Sequence, residues 1–367
     1  MTNTVKKPRV DWVDAAKGIS ILLVVLYHCT SLSEAAGFEV TYSLRLNHLL
    51  QPIRMPLFFF VAGIFAGSAV AKSWPDLFRR KVLLMAWLLL LWALIRIAWS
   101  TWVLPVFPSE VGNWWSVPMA LVRPSNGLWF LWSLAIFFVV AKILRGRLRV
   151  IGLVIALVAS IGGMGYAFSD SGLTSFLNYL PYRNSIKYFF FFFVACSFPM
   201  AALSLDRIPL FRGLIFASIA MITTLWFRDH TGGVLMKGLI GFVSCCVGVA
   251  WLLFISRFSM RLPGVGALLS WIGRNTLPIY VSHALIITLF LALVAGVHQK
   301  VGPIMELFPF VLVPIVVALS LLVRVIVLKV GGYWMYELPA RNRDVRKSAS
   351  IAGNGTPVAA EATARGT

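Results

Sequence analysis

Lys17 and His28 stand with ten residues between them inside the first apolar stretch of the chain, Asp14-Ala-Ala-Lys17-Gly-Ile-Ser-Ile-Leu-Leu-Val-Val-Leu-Tyr-His28. Eleven steps of about 1.5 Å at 3.6 residues per turn put both side chains on one helical face, roughly 16 Å apart along the axis. Asp14 falls on the same face, three residues before Lys17, where its carboxylate can hold the ammonium; a pairing that serves only packing or topology is the alternative. Ionisable groups within a bilayer-spanning helix are costly, so such a stripe marks a site facing the protein interior. A histidine there can exchange protons near neutrality. The stripe therefore points to a membrane enzyme or a transporter.

The elements that must position this stripe are transmembrane helices. Hydrophobic residues make up 59% of the 367 residues, charged residues 13%, and the mean hydropathy is +0.86, outside the range of soluble domains. Apolar stretches of spanning length occur at 15–34, 53–71, 82–104, 127–144, 150–168, 186–204, 211–227, 236–256, 276–296 and 306–328. The expected fold is all-α, a polytopic bundle of about ten helices, with residues 258–278 read as a loop. Residues 1–14 form a basic N-terminus, 15–330 the membrane domain and 339–367 a disordered, Ala/Gly/Thr-rich tail.

The net charge of +20 does not imply nucleic acid, because Lys and Arg cluster in short segments between apolar runs. Placing Lys6, Lys7, Arg9, Lys72, Arg79, Arg80, Lys81, Lys142, Arg145, Arg147 and Arg149 inside, with the later clusters to the tail, gives an even span number and both termini cytoplasmic. The outer loops then keep Arg45, Arg123, Arg183, Lys187, Arg228, Lys237 and Lys300. No small-x-small site follows the first apolar run, so it reads as a retained helix rather than a cleaved signal. No internal repeat is evident.

Cys29, Cys196, Cys245 and Cys246 all lie in apolar stretches, which argues against a disulfide framework. Cys29 reads as a buried small side chain, since the next residue on a helix points about 100° away from His28. The five histidines show no spacing suited to zinc, and no metal is expected.

Five segments together carry a resemblance. Asp14-x-x-Lys17-Gly18 with Val24-Val25-Leu-Tyr-His28, Met55-Pro-Leu-Phe-Phe-Phe-Val-Ala-Gly63, Arg79-Arg80-Lys81, Leu128-Trp-Phe-Leu-Trp132 and Gly273-Arg-Asn-Thr-Leu-Pro-Ile-Tyr280-Val-Ser-His283 occur in that order. Over residues 9 to 330 the chain resembles the integral-membrane acyltransferase-3 family. The resemblance implies transfer of an acyl group, most often acetyl from cytoplasmic acetyl-CoA, to a hydroxyl of a sugar in a glycan, antibiotic or lipid. It implies no permanently bound cofactor, with acetyl-CoA serving as donor substrate. Partners are then the acyl-CoA, a carbohydrate or glycolipid acceptor and membrane lipid, in the inner membrane.

The family pairs a basic residue and a histidine with the same ten-residue interval, so Lys17 and His28 take those places. Lys17 stands where Arg is common, which keeps the charge and loses bidentate contact. His28 is then the general base that takes the proton of the attacking hydroxyl. Lys17 with Arg79, Arg80 and Lys81 would bind the anionic nucleotide end of the donor; contact with anionic lipid is the alternative for the triplet. Arg54, Glu34, Trp129 and His283 are candidate acceptor-binding residues, with Arg54 able to polarise a carbonyl and Trp129, like Trp114, Trp115 and Trp132, able to stack on a sugar. Snorkelling for Arg54, a solvated loop for Glu34, interfacial placement for the tryptophans and packing for His283 are the plainer alternatives. Arg96 and Arg324 fall within spans without a nameable partner. Gly63 and Gly67 suggest a close helix contact, and Phe189–Phe193 a lipid-facing or packed face. The second functional class is a transporter or flippase in which Lys17 and His28 line a path for a proton or a substrate.

Overall fold

A computed structural model describes residues 11–105, 111–124, 127–165, 179–294 and 306–339. The basic segment before Asp11 and the tail from residue 340 lie outside them. The described chain is a bundle of helices: α1 (Asp11–Ala35), α2 (Thr41–Val70), α3 (Trp74–Leu77), α4 (Leu83–Trp102), α5 (Ser116–Met119), α6 (Trp129–Ile143) and α7 (Arg149–Gly165). There follow α8 (Leu180–Ser197), α9 (Pro199–Leu203), α10 (Leu210–His230), α11 (Val234–Ser259), α12 (Val265–Arg274), α13 (Thr276–Val294) and α14 (Phe308–Lys329). Among the described residues, eight helices are long and apolar enough to cross a membrane, counting Trp74–Trp102 as one. The two remaining stretches of spanning length correspond to α6, which is shorter, and α8, which carries Arg183 and Lys187.

Several boundaries differ from those read in the sequence. α2 begins twelve residues before the apolar stretch at 53, so Asn47 and Arg54 lie on a continuous helix that tolerates Pro52 and Pro56. Polar residues 41–51 masked this start, since hydropathy alone does not register a helix whose polar groups are buried. α8 starts six residues early, with Pro181 in its first turn, and stops at Ser197 because Phe198 precedes Pro199. Arg183 and Lys187 are therefore helical rather than in an outer loop. The segment 258–278 is not a loop: α12 occupies ten of its residues, and the end of α11 and the start of α13 enter it from either side.

α12 packs closely along α1. Gly18 has no Cβ where the Leu269 carbonyl lies, and Gly273 none where the Asp14 carbonyl lies. Any larger residue at either position would push the two backbones apart. Ser270 Oγ adds a hydrogen bond to the Asp11 carbonyl at 3.0 Å. α12 thus holds the first turns of α1, the part that carries Asp14 and Lys17.

The core between α2, α6 and α8 is aromatic. Phe59 packs against Phe130, Phe137, Trp129 and Tyr188, and Phe137 and Phe138 meet Phe192. The phenylalanine run is consequently a packing element, with Phe191, Phe192 and Phe193 buried.

Candidate functional site

The basic residues gather at the end of the bundle where α1 begins. Between α3 and α4 the chain makes a π turn, Phe78–Val82, that carries Arg79, Arg80 and Lys81. Such widened turns are rare and recur at functional positions. Two cavities of about 740 and 640 Å³ meet here and share Phe65 and Lys81 in their walls. The first also takes in Lys72, Asp76, Arg79, Arg80 and Glu337; the second takes in Asp14, Lys17, Met85 and Arg274. Six basic side chains against three carboxylates leave this mouth positive, so it favours an anion.

Lys17 is fixed within it. Its Nζ lies 2.9 Å from Asp14 Oδ1 and 3.9 Å from the centre of the Phe65 ring. Asp14 is buried at 9% exposure, so its carboxylate is matched by the ammonium rather than by water. Lys142 Nζ donates to the Val70 carbonyl at 3.2 Å and to that of Lys72, satisfying the end of α2 beside the mouth. On the other side, Trp87 Nε1 and Trp92 Nε1 donate to the carbonyls of Trp334 and Met335 at 2.8 and 3.0 Å. These bonds lay the segment after α14 against α4 and bring Glu337 to the cavity wall. Lys72 and Arg274 were read in the sequence only as inner charges and Glu337 was not singled out, because only the fold brings them to one mouth.

Three turns along α1 lies a second constellation. The rings of His28 and His283 have centroids 4.9 Å apart at 51°. His283 is 1% exposed, and its Nδ1 faces the carbonyls of Ile279 and Tyr280 at 3.1 and 2.7 Å. Carbonyls only accept, so Nδ1 carries the proton in the neutral ring and Nε2 is an acceptor. That Nε2 is buried without a hydrogen-bond partner among the described residues.

Arg54 completes this half. Its guanidinium lies 4.0 Å from the centre of the Tyr27 ring and donates from Nη1 to Asn47 Oδ1 at 3.1 Å. Asn47 Nδ2 in turn donates to Thr30 Oγ1 at 2.8 Å and to the Ser43 carbonyl at 2.9 Å. The amide orientation of Asn47 is thereby fixed with its oxygen toward Arg54. Arg54 is 8% exposed, so it is buried in the bundle rather than snorkelling. Arg96 of α4, 6% exposed, joins it: both guanidiniums act electrostatically on His28. Arg96 Nη1 occupies the place where Gly127 would have a Cβ, which ties α4 to the residue before the Leu128–Trp132 motif.

Other candidates stand apart. Trp129 is buried against Phe59, and Glu34 is exposed six residues beyond His28 at the end of α1. His28 lines neither cavity, and Ile21 and Val24, on the same face of α1, are buried between it and Lys17. The structure therefore assembles Asp14, Lys17, Arg79, Arg80 and Lys81 at one place and His28, Arg54 and His283 at another.

The family model Acyl_transf_3, described as an acyltransferase domain, matches residues 10–327. The chain belongs to the acyltransferase-3 family. That membership makes it a membrane acyltransferase, and the match takes in both constellations. The chain is also similar to the inner membrane protein YcfT of Escherichia coli (strain K12), 26% identical over 342 residues that cover 85% of this chain and 91% of that protein. No solved structure matches it.

Proposed function

We propose that the protein transfers an acyl group, acetyl, from acetyl-CoA to a hydroxyl of a carbohydrate or glycolipid. The observation that carries this reading is the division of one helix, α1, between a cationic mouth at Lys17 and a histidine pair at His28, about 16 Å deeper. Coenzyme A has the matching form, with phosphates at one end and the thioester at the other end of a narrow arm. The phosphates are held by Lys17, Arg79, Arg80 and Lys81, joined by Lys72 and Arg274, and to reach His28 the arm must displace Ile21 and Val24, which close the face of α1 between them. With the basic mouth on the cytoplasmic side, as the charge distribution favours, both termini are cytoplasmic.

In the reaction, His28 takes the acceptor hydroxyl proton as the oxygen attacks the thioester carbonyl. The C–S bond breaks, the ester C–O bond forms, and the thiolate leaves to regain a proton as free CoA. Arg54 and Arg96 place positive charge where the carbonyl oxygen becomes negative, and a low-dielectric surrounding strengthens that effect. A hydroxyl held against the histidine pair by Arg54 is acylated in preference to water.

The test is incubation of the purified protein in detergent with labelled acetyl-CoA and crude glycans, following CoA release and label transfer in the wild type and in His28→Ala. Transfer that vanishes in the variant supports the reading. A folded wild type that moves a glycolipid or a small anion across vesicles without releasing CoA supports a transporter instead.

A further inference from the structure

The two cavities of the cationic mouth follow one another along the bundle. On α2 the first takes in Phe65 and Lys72, and the second Ala62 and Phe65. On the π turn and α4 the first takes in Arg80 and Lys81, and the second Lys81 and Met85. α2 ends at this end of the bundle and α4 begins there, so both helices set the second cavity about one turn deeper than the first. Phe65 and Lys81 stand at the division between them.

Phe65 has a ring face to spare. It is 49% exposed even though Lys17 Nζ sits 3.9 Å from the ring centre. A ring has two faces, and the ammonium takes one of them. Among the described residues the walls hold one other aromatic, Phe138, which is buried, meets Phe192 edge to face and lies under Lys81. It offers no open face.

Basic side chains lie on both sides of the division, Lys72, Arg79 and Arg80 in the outer cavity and Lys17 and Arg274 in the inner one. They hold phosphate without help from an aromatic ring. The ring supplies what they lack, a flat apolar surface on which any nucleobase stacks favourably. A nucleotide with phosphates on either side of its base matches this order of groups. The adenosine end of coenzyme A has that form, with one phosphate on the 3′ oxygen and two on the 5′ oxygen.

We infer that Phe65 is the platform on which the adenine of acetyl-CoA stacks, with phosphate held in the cavity on either side of it. The identity of the donor rests on the acyltransferase reading; the nucleotide platform itself does not. Stacking makes the mouth selective for a nucleotide over a bare anion or a lipid phosphate.

The test is thermal unfolding of the full chain in detergent, titrated separately with adenosine 3′,5′-bisphosphate, pyrophosphate and acetyl-CoA. The wild type, Phe65→Leu and Phe65→Trp are compared. Phe65→Leu keeps apolar bulk at a half-exposed position and removes the aromatic face, and its melting temperature without ligand checks that it folds. We expect the bisphosphate and acetyl-CoA to bind about tenfold more weakly to Phe65→Leu, as loss of one base–aromatic stack predicts, and to bind Phe65→Trp as they bind the wild type. Pyrophosphate is expected to bind all three proteins alike, and to bind the wild type about tenfold more weakly than the bisphosphate does. Nucleotide binding unchanged in Phe65→Leu, or a wild type that binds the bisphosphate no tighter than pyrophosphate, overturns the inference. So does an equal loss of pyrophosphate binding in Phe65→Leu, which would mean that Phe65 only holds Lys17 in place. Bisphosphate binding that depends on Phe65, in a wild type that releases no CoA from acetyl-CoA with acceptors supplied, overturns the donor reading alone.

Discussion

His283 presents its ring to His28 across 4.9 Å while its own Nδ1 is committed to two backbone carbonyls of α13. The pair is asymmetric as a result: one imidazole is locked in a single tautomer inside the core, and the other sits half-buried on α1 beside Arg54 and Arg96. An imidazole that must accept and release a proton benefits from a neighbour that fixes its orientation.

His28→Ala is expected to lower acyl transfer by about 10²- to 10⁴-fold, the range for loss of a general base. His283→Ala is expected to cost less, about tenfold, because the base itself remains. Steady-state CoA release at saturating donor separates the two. Equal loss in both variants, with both folded, would show that the two rings act as one unit.

Lys17→Ala is expected to raise KM for acyl-CoA about tenfold, as loss of a charge-assisted contact predicts, and to change kcat less. Lys17→Arg keeps the charge and is expected to stay near wild type. Raising ionic strength should weaken donor binding in the wild type, since exposed basic side chains of the mouth are screened. A donor KM indifferent to both salt and Lys17 would remove the phosphate end from this cavity.

Much of this arrangement is legible in the sequence, and the exceptions share a cause. The Lys17–His28 interval survives as written because both residues lie on one uninterrupted helix, where spacing is geometry. Asn47 was not read because it lies in a polar segment before two prolines, and hydropathy ends the helix there. Its value comes from Thr30 on α1, which no spacing along the chain reveals. α12 was read as a loop because it is ten residues long and its burial depends on Gly18 meeting Leu269. Arg96 had no nameable partner because its neighbour, Gly127, is recognised by the side chain it lacks.

Asn47→Leu is expected to leave the Arg54 guanidinium without its acceptor and Thr30 Oγ1 without its donor. An unsatisfied buried group costs roughly 1–3 kcal/mol, so both the melting temperature and kcat should fall, with donor KM unchanged. Asn47→Asp restores an acceptor for Arg54 but partly neutralises it. It is expected to recover stability without recovering kcat, and matched rates in the two variants would argue that Arg54 serves packing alone.

Gly273→Val tests whether α12 positions the donor mouth. The added side chain meets the Asp14 carbonyl, a backbone atom that cannot rotate away, so α1 and α12 must separate. Overpacking of this kind costs about 1–3 kcal/mol, and more where backbone is the obstacle. A shift there moves Asp14 and Lys17 together, since their 2.9 Å bond spans a single helical turn. His28 lies three turns further on, where α1 is held by α13 and α2 instead. Acyl-CoA affinity should therefore fall further than the loss in melting temperature accounts for. Turnover at saturating donor, which runs through His28, should change little. A variant that loses donor affinity and turnover in proportion would mean that α1 moves as a rigid rod, and that Gly273 sets the height of the histidine pair as well as the mouth.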